Sequence, residues 1–202
     1  MGFSTLIDIL GSTVVGGLLL LILLRLNDAS VENTFTYGGE LTVQENLKEV
    51  VELLEYDFRK IGYCANWQKI PDPSKAIIAA DSHSIAFQTD VDSDGDVDTM
   101  RYFTGPTSEL TATPNPNDRL LYRVVNGATP RGSNLGITQF DMLYFNALGD
   151  TIAFPISVPG EIYTMQINIT VENTAAYGDN YSKDRSAFWR QIRLAARNLR
   201  NR

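Results

Sequence analysis

Residues 3–26 read FSTLIDILGSTVVGGLLLLILLRL and are almost wholly apolar. At the rise of an α-helix, this stretch of roughly 24 residues extends about 36 Å, which is enough to cross the hydrocarbon core of a bilayer. A cleaved secretory signal begins with basic residues and has a shorter apolar core, whereas Met1 and Gly2 carry no basic side chain. Residues 1–27 are therefore predicted to form a transmembrane helix that anchors the protein.

Asp8 is the one acidic residue inside this apolar segment. A carboxylate at such a position costs several kcal/mol unless it reaches the interface or pairs with a cation. Two interpretations stay open: Asp8 pairs with a partner, or it lies near the lipid headgroups. Ser12 and Gly16 are small residues four positions apart, a spacing that would let another helix approach closely.

The composition restricts the classes of function. The 202 residues leave room for one domain besides an anchor, and the net charge of -7 argues against nucleic acid as the main partner. Cys64 is the only cysteine, which excludes an intramolecular disulfide and cysteine-rich zinc sites. His83 is the only histidine, and no G-x-S-x-G motif accompanies it. We therefore expect His83 to be an ordinary strand residue and the protein not to be an enzyme.

A hinge and a second helix are predicted after the anchor. Segment 28–41 is polar, contains a Gly-Gly pair and lacks periodicity, as is typical of a hinge. Thr42 and Glu45 fit a capping box, which predicts an amphipathic helix over 42–62 that closes on a glycine. Its apolar residues recur at helical spacing and would pack on a sheet: Leu47, Val50, Val51, Leu54, Phe58 and Ile61.

The rest of the chain is predicted to be rich in β-strands, over 76–172. Two late runs alternate apolar and polar residues, as in antiparallel strands with one solvated face. The fold class is therefore α+β, with the second helix packed on an antiparallel sheet in a head of residues 42–202. The predicted strands are 76–80, 84–89, 97–103, 120–125, 137–145 and 163–171.

The C-terminal segment 183–202 is the one basic stretch of an acidic protein. Its apolar residues fit a helix and a strand equally well, so the periodicity leaves both structures open. Its arginines either contact an acidic neighbour or a membrane, or form a solvated tail.

Residues 90–98 read DVDSDGDVD, with oxygen donors at alternate positions and a glycine at the sixth. This is the first part of a calcium loop of the EF-hand type, but the twelfth position, which supplies a glutamate in such loops, is Arg101. Neighbouring carboxylates repel one another unless something neutralises them. Two interpretations stay open, a solvated acidic hairpin or a Ca²⁺ site with the ligands Asp90, Asp92, Asp94, Asp96 and Asp98.

Residues 2–8 contain a glycine, a phenylalanine, a short apolar stretch and an acidic residue, in that order. This order resembles the N-terminus of type IV prepilins. Residues 58–63 are similar to the helix end of minor pilins of the PilW type. Three further parts of the chain are similar to the same minor pilins and to the minor pseudopilins of type II secretion: the hairpin 85–102, residues 136–149 and residues 197–199. These similarities are spread over most of the chain.

The resemblance implies a pilin-like head and a structural subunit of a type IV pilus or type II secretion pseudopilus. Its partners would be the membrane and other pilin-like subunits, whose helices pack into a filament core while Asp8 pairs with a neighbour's N-terminal amine. Prepilin peptidase would cut between Gly2 and Phe3 and leave Phe3 as the methylated terminus. The protein would cross the bacterial inner membrane once, with its head outside the cytoplasm, and would reach the cell surface once assembled in a filament.

The alternative is a protein of a different class. A single-pass anchored module that is neither cleaved nor assembled would use the acidic loop or the sheet to bind a cell-surface ligand.

Overall fold

The structure, a computed structural model, describes residues 2–173 and 187–194. In this range the chain forms one long helix, α1 (Phe3–Arg59), and a seven-stranded antiparallel sheet. The chain divides into two compact units, Met1–Gly39 and Glu40–Arg202. The α+β class predicted from the sequence is confirmed.

Helix α1 is continuous where the sequence predicts a break. Segment 28–41 is helical, so the expectation of an irregular hinge there is wrong, and Thr42 lies inside the helix and does not start a second one. Starting a helix is the costly step, whereas extending an existing one is cheap, and two glycines cost only about 1 kcal/mol each relative to alanine. No proline precedes Pro71, so nothing blocks the hydrogen-bond ladder. The boundary between the two units nevertheless follows Gly39, within this segment.

The C-terminal end of α1 is fixed by Gly62. The helix ends at Arg59, three residues before the predicted end, and Gly62 has a φ of 72°, the left-handed conformation expected of a closing glycine. Its N–H donates to the carbonyl of Gln88, 2.9 Å away. A Cβ at position 62 would lie 3.1 Å from the Cβ of Pro73, so the close packing also requires a glycine.

The sheet is a meander in which every strand pairs with its neighbours in sequence. The six predicted strands correspond to β1–β6, and the largest difference is that β5 begins at Arg131 and not at residue 137. The strands are β1 (Ile77–Ala80), β2 (Ser84–Thr89), β3 (Asp98–Thr104), β4 (Arg119–Val125), β5 (Arg131–Phe145), β6 (Thr164–Glu172) and β7 (Ala187–Leu194).

Strand β7 decides between the two structures that the C-terminal periodicity leaves open. It pairs with β6 from Met165↔Leu194 to Glu172↔Ala187, so residues 187–194 form a strand. The other residues of the basic segment 183–202 lie outside the described residues.

The core lies between the sheet and the last part of α1. The predicted apolar face of the helix is confirmed, since five of its six residues are buried and Leu47 is partly buried. The ring of Phe58 meets Phe87 of β2 and Tyr102 of β3 edge to face, with centroids 5.5 and 5.3 Å apart. Aromatic pairs in this arrangement add to the free energy gained by apolar burial.

Asp57 is a buried charge on the same face of α1. Its side chain is 2 % exposed, and both of its oxygens accept hydrogen bonds from Arg123 of β4, at 2.6 and 3.2 Å. The hydroxyl of Tyr102 donates to the same carboxylate. Burial, and then the charge of Asp57, raise the pKa of Tyr102 well above its usual value. This network joins the helix to two strands through charged hydrogen bonds.

Two more acidic residues are buried, Asp118 just before β4 and Glu172 at the end of β6. Asp118, Asn115 and Glu172 are all buried, and the amide of Asn115 donates to Glu172 at 2.8 Å. Burial raises the pKa of Asp118, and the negative charge of Glu172 adds to this shift. Both carboxylate oxygens of Asp118 are buried and lack a hydrogen-bond partner among the described residues. In the folded protein Asp118 therefore holds its proton to a higher pH than in the unfolded chain.

Asp118→Asn is expected to make the protein more stable than the wild type at pH 7. Proton binding by Asp118 stabilises the folded wild type. This contribution is complete below pH 3.8, the ordinary pKa of the side chain, and is lost as the pH rises through the raised pKa of the folded protein. The advantage of the variant should therefore shrink as pH falls towards 4. Thermal unfolding of the detergent-solubilised protein between pH 4 and 7 measures it, with the exposed Asp150→Asn as the control. A variant that is less stable than the wild type at pH 7 would contradict the assignment.

Candidate functional site

The unit of residues 1–39 presents an apolar surface. Every side chain that the structure describes between Gly2 and Phe35 is exposed, and each residue from Leu18 to Leu24 is at least 52 % exposed. Fully burying a single leucine is worth about 1.5–3 kcal/mol, so water is a poor environment for this surface. The helix is long and apolar enough to cross a membrane. Contact of residues 3–26 with lipid or with another apolar surface would therefore be favourable.

The three predicted processing and assembly residues lie at the start of this unit. Gly2 precedes α1, Phe3 is its first residue and is 80 % exposed, and Asp8 is exposed in the second turn. Among the residues that the structure describes, no cation lies within ion-pair distance of Asp8. By contrast, the hydroxyls of Ser12 and Thr13 both donate to the carbonyl of Ile9, at 2.9 and 2.8 Å, so these polar groups are satisfied within the helix.

The acidic loop, residues 90–97, joins the antiparallel strands β2 and β3, a connection that both interpretations of the sequence allow. Three of the five aspartates come together: Asp90, Asp92 and Asp98 each place one carboxylate oxygen within 4.8 Å of the others. The other two point to different partners. Asp94 accepts a hydrogen bond from the N–H of Asp96 at 2.7 Å, and the carboxylate of Asp96 pairs with Lys69.

Asp90 is the buried member of this cluster, with no exposed surface. Its Oδ2 accepts hydrogen bonds from the N–H groups of Ala65 and Gly95, each at 3.0 Å. Its Oδ1 is also buried and has no hydrogen-bond partner among the described residues. Burial alone would raise the pKa of Asp90, but the backbone N–H donors outweigh it and hold this pKa below its usual value. The carboxylate is therefore charged at neutral pH.

Neighbouring groups also orient the other two carboxylates of the cluster. Asp98 accepts hydrogen bonds from the N–H of Val91 at 2.9 Å and from the side-chain amide of Asn126 at 2.6 Å. Asp92 is exposed and accepts one from the N–H of Asp94 at 3.3 Å. Left-handed φ angles at Ser93 (65°) and Gly95 (89°) fold the loop back and bring its two ends together.

This geometry is compatible with a single hard cation. Ca²⁺ binds oxygen at about 2.3–2.6 Å, so two oxygens on one ion lie at most about 5 Å apart. The resemblance to an EF-hand ends with the loop, since Arg101 belongs to β3 and its guanidinium lies 4.6 Å from the centre of the Phe103 ring. A site here would use the first, third and ninth positions of the predicted pattern.

His83 lies beside a surface cavity and not in a strand. The expectation of a strand residue is wrong, because His83 belongs to the turn between β1 and β2, where Asp81 and Ser82 favour a bend. Its Nδ1 is 3.0 Å from Oδ1 of Asp141, at a cavity of about 360 Å³. The residues that line this cavity in the described part of the chain include no serine or cysteine.

Sequence patterns did not reveal the groups that position the cluster. The N–H of Ala65 and the side chain of Asn126 are 25 and 28 residues from the carboxylates that they contact. The only local signal was the Asn-Gly pair at 126–127, which predicts a turn but not its neighbours.

Comparison with protein-family models, with curated proteins and with solved structures found no match to this chain. Its class is therefore defined by the fold alone. It is an α+β protein that combines a long, apolar N-terminal helix with a seven-stranded antiparallel sheet.

Proposed function

We propose that this protein is a pilin-like structural subunit of a type IV pilus or type II secretion pseudopilus, which assembles by packing of its N-terminal helix. The observation that carries the proposal is the exposed apolar helix surface with a single carboxylate, Asp8, in its second turn. The proposed role is structural and needs no catalytic residue.

Apolarity alone supports an anchor, because lipid covers leucine side chains as well as another helix does. Asp8 favours assembly. A carboxylate in the apolar part of a membrane helix is costly, by about 2.5–3.5 kcal/mol at the centre and by less towards the ends, and a cationic partner in a neighbouring subunit would offset this cost. The N-terminal amine of that subunit has the required charge once the residues before Phe3 are removed. The proposed partners are therefore other pilin-like subunits, the membrane and prepilin peptidase.

The same helix supports the proposed location, since it is long and apolar enough to cross a membrane. The proposed location is the bacterial inner membrane, crossed once, with the head outside the cytoplasm and in a surface filament after assembly. The net charge of -7 suits a soluble head and does not favour nucleic acid as the main partner.

Mass spectrometry of the mature N-terminus tests the proposal. Protein purified from cells that contain prepilin peptidase is expected to begin at a methylated Phe3, and protein from cells without the peptidase is expected to keep Met1. An intact Met1 in both preparations, with no protein in filaments, would favour the uncleaved anchored binding module.

A further inference from the structure

We propose that Asp90, Asp92 and Asp98 bind one calcium ion in the loop between β2 and β3. The inference concerns the unit of residues 40–202 and is independent of the proposed assembly through the N-terminal helix. It differs from the sequence pattern in using three of the five aspartates.

The first argument is convergence. One oxygen from each of the three carboxylates lies within 4.8 Å of the others, the spacing that a single calcium ion allows. Three like charges at this distance repel one another, and a divalent cation removes that repulsion. Asp94 and Asp96, in the same loop, lie outside this cluster, and the carboxylate of Asp96 pairs with Lys69.

The second argument is independent of the charge and concerns Oδ1 of Asp90. This oxygen is buried and lacks a hydrogen-bond partner among the described residues, although its carboxylate is held in place through Oδ2. A buried, unpaired carboxylate oxygen is unfavourable, because it has lost its water without compensation. A cation bound by the cluster through Oδ1 would supply the missing partner.

The donor set favours calcium among the common metals. The three side chains offer only oxygen, whereas zinc and copper sites usually include nitrogen or sulfur. Calcium accepts six to eight oxygen ligands with flexible geometry, and water and backbone carbonyls can complete the shell around three carboxylates. We therefore expect the weak affinity of extracellular calcium modules, with a Kd of about 0.1–1 mM.

Calcium bound here would tie the hairpin to the end of α1. The N–H of Asp90 donates to the carbonyl of Tyr63, the hydroxyl of Thr89 donates to the carbonyl of Lys60, and the ammonium of Lys60 donates to the carbonyl of Val91, each at 2.8 Å. A ligand that binds only the folded loop stabilises these contacts by mass action.

Calorimetric titration of the full-length protein in detergent, stripped with EDTA, tests the site with CaCl2 as the probe. The wild type is expected to bind one calcium ion and to show a saturable rise in Tm. Asp92→Asn is expected to weaken binding by about tenfold or more, since it removes one charged ligand while its amide oxygen can still accept the hydrogen bond from Asp94. Asp98→Asn should have a similar effect.

Asp94→Asn and Asp96→Asn are the matched controls, because each removes the same charge from the same loop outside the cluster. Both should bind calcium within about threefold of the wild type, the range of weak screened interactions between exposed charges. Absence of heat and of a Tm shift at millimolar calcium would overturn the proposal. Equal weakening by Asp92→Asn and by the two control variants would also overturn it, because the loop would then attract cations only through its total charge.

Discussion

Asp8→Ala is expected to lower the amount of the protein in assembled filaments about a hundredfold or more, while its amount in the membrane stays unchanged. The variant keeps the apolar helix that crosses the membrane, and alanine fits a membrane helix better than aspartate does. In a filament, however, the amine of the neighbouring subunit would lose its partner. Leaving one member of a buried ion pair uncompensated costs about 3–5 kcal/mol. This cost lowers the equilibrium constant for incorporation about a hundredfold or more.

Two further variants make this experiment specific. Asp28→Ala removes the same charge from α1 beyond the apolar run and should assemble as the wild type does. Asp8→Glu keeps the carboxylate and should restore a large part of assembly. Immunoblots of sheared filaments and of membranes give both quantities. Normal incorporation of Asp8→Ala would show that Asp8 has no partner in the filament and lies near the headgroups.

Asp57→Ala is expected to lower the free energy of unfolding by about 1.5–3 kcal/mol, because it removes the buried acceptor of the charged hydrogen bonds from Arg123, whose side chain is 32 % exposed. Arg123, which donates two hydrogen bonds to Asp57, would keep its charge without a partner, and the buried hydroxyl of Tyr102 would lose its acceptor. Chemical denaturation of the detergent-solubilised protein, followed by the circular dichroism of the sheet, measures the change.

Glu52→Ala is the control on the same helix. Glu52 pairs with Lys48 at 3.7 Å, and both side chains are more than two thirds exposed, so the loss should be about 0.5 kcal/mol or less. Similar losses in the two variants would mean that the Asp57 network contributes no more than a surface ion pair.

The strands could be predicted from the sequence because their signals are local. Alternation of apolar and polar residues and turn residues between the runs located β1–β6 to within a few residues, apart from the start of β5. Two outcomes depended on more than the local pattern. Segment 28–41 is helical because extension of an existing helix outweighs weak propensity. Residues 187–194 form a strand through pairing with β6, which periodicity alone cannot reveal.

The spacing of carboxylates in the acidic loop was visible in the sequence, but the sequence did not show that only three of the five aspartates come together. Their convergence depends on the backbone angles at Ser93 and Gly95 and on donors from distant parts of the chain. The Asp57 network was missed for the same reason, since its partners Tyr102 and Arg123 are 45 and 66 residues away. An acidic residue on the apolar face of a helix was the one signal that could have indicated it.

Shearing of surface filaments from cells that produce the protein at its natural level tests assembly most directly. If α1 packs into a filament, the protein is expected in the sheared fraction, in a constant ratio to the other pilin-like subunits, and begins at Phe3. Recovery from membranes alone, with Met1 intact, would contradict assembly and leave the helix as an anchor only.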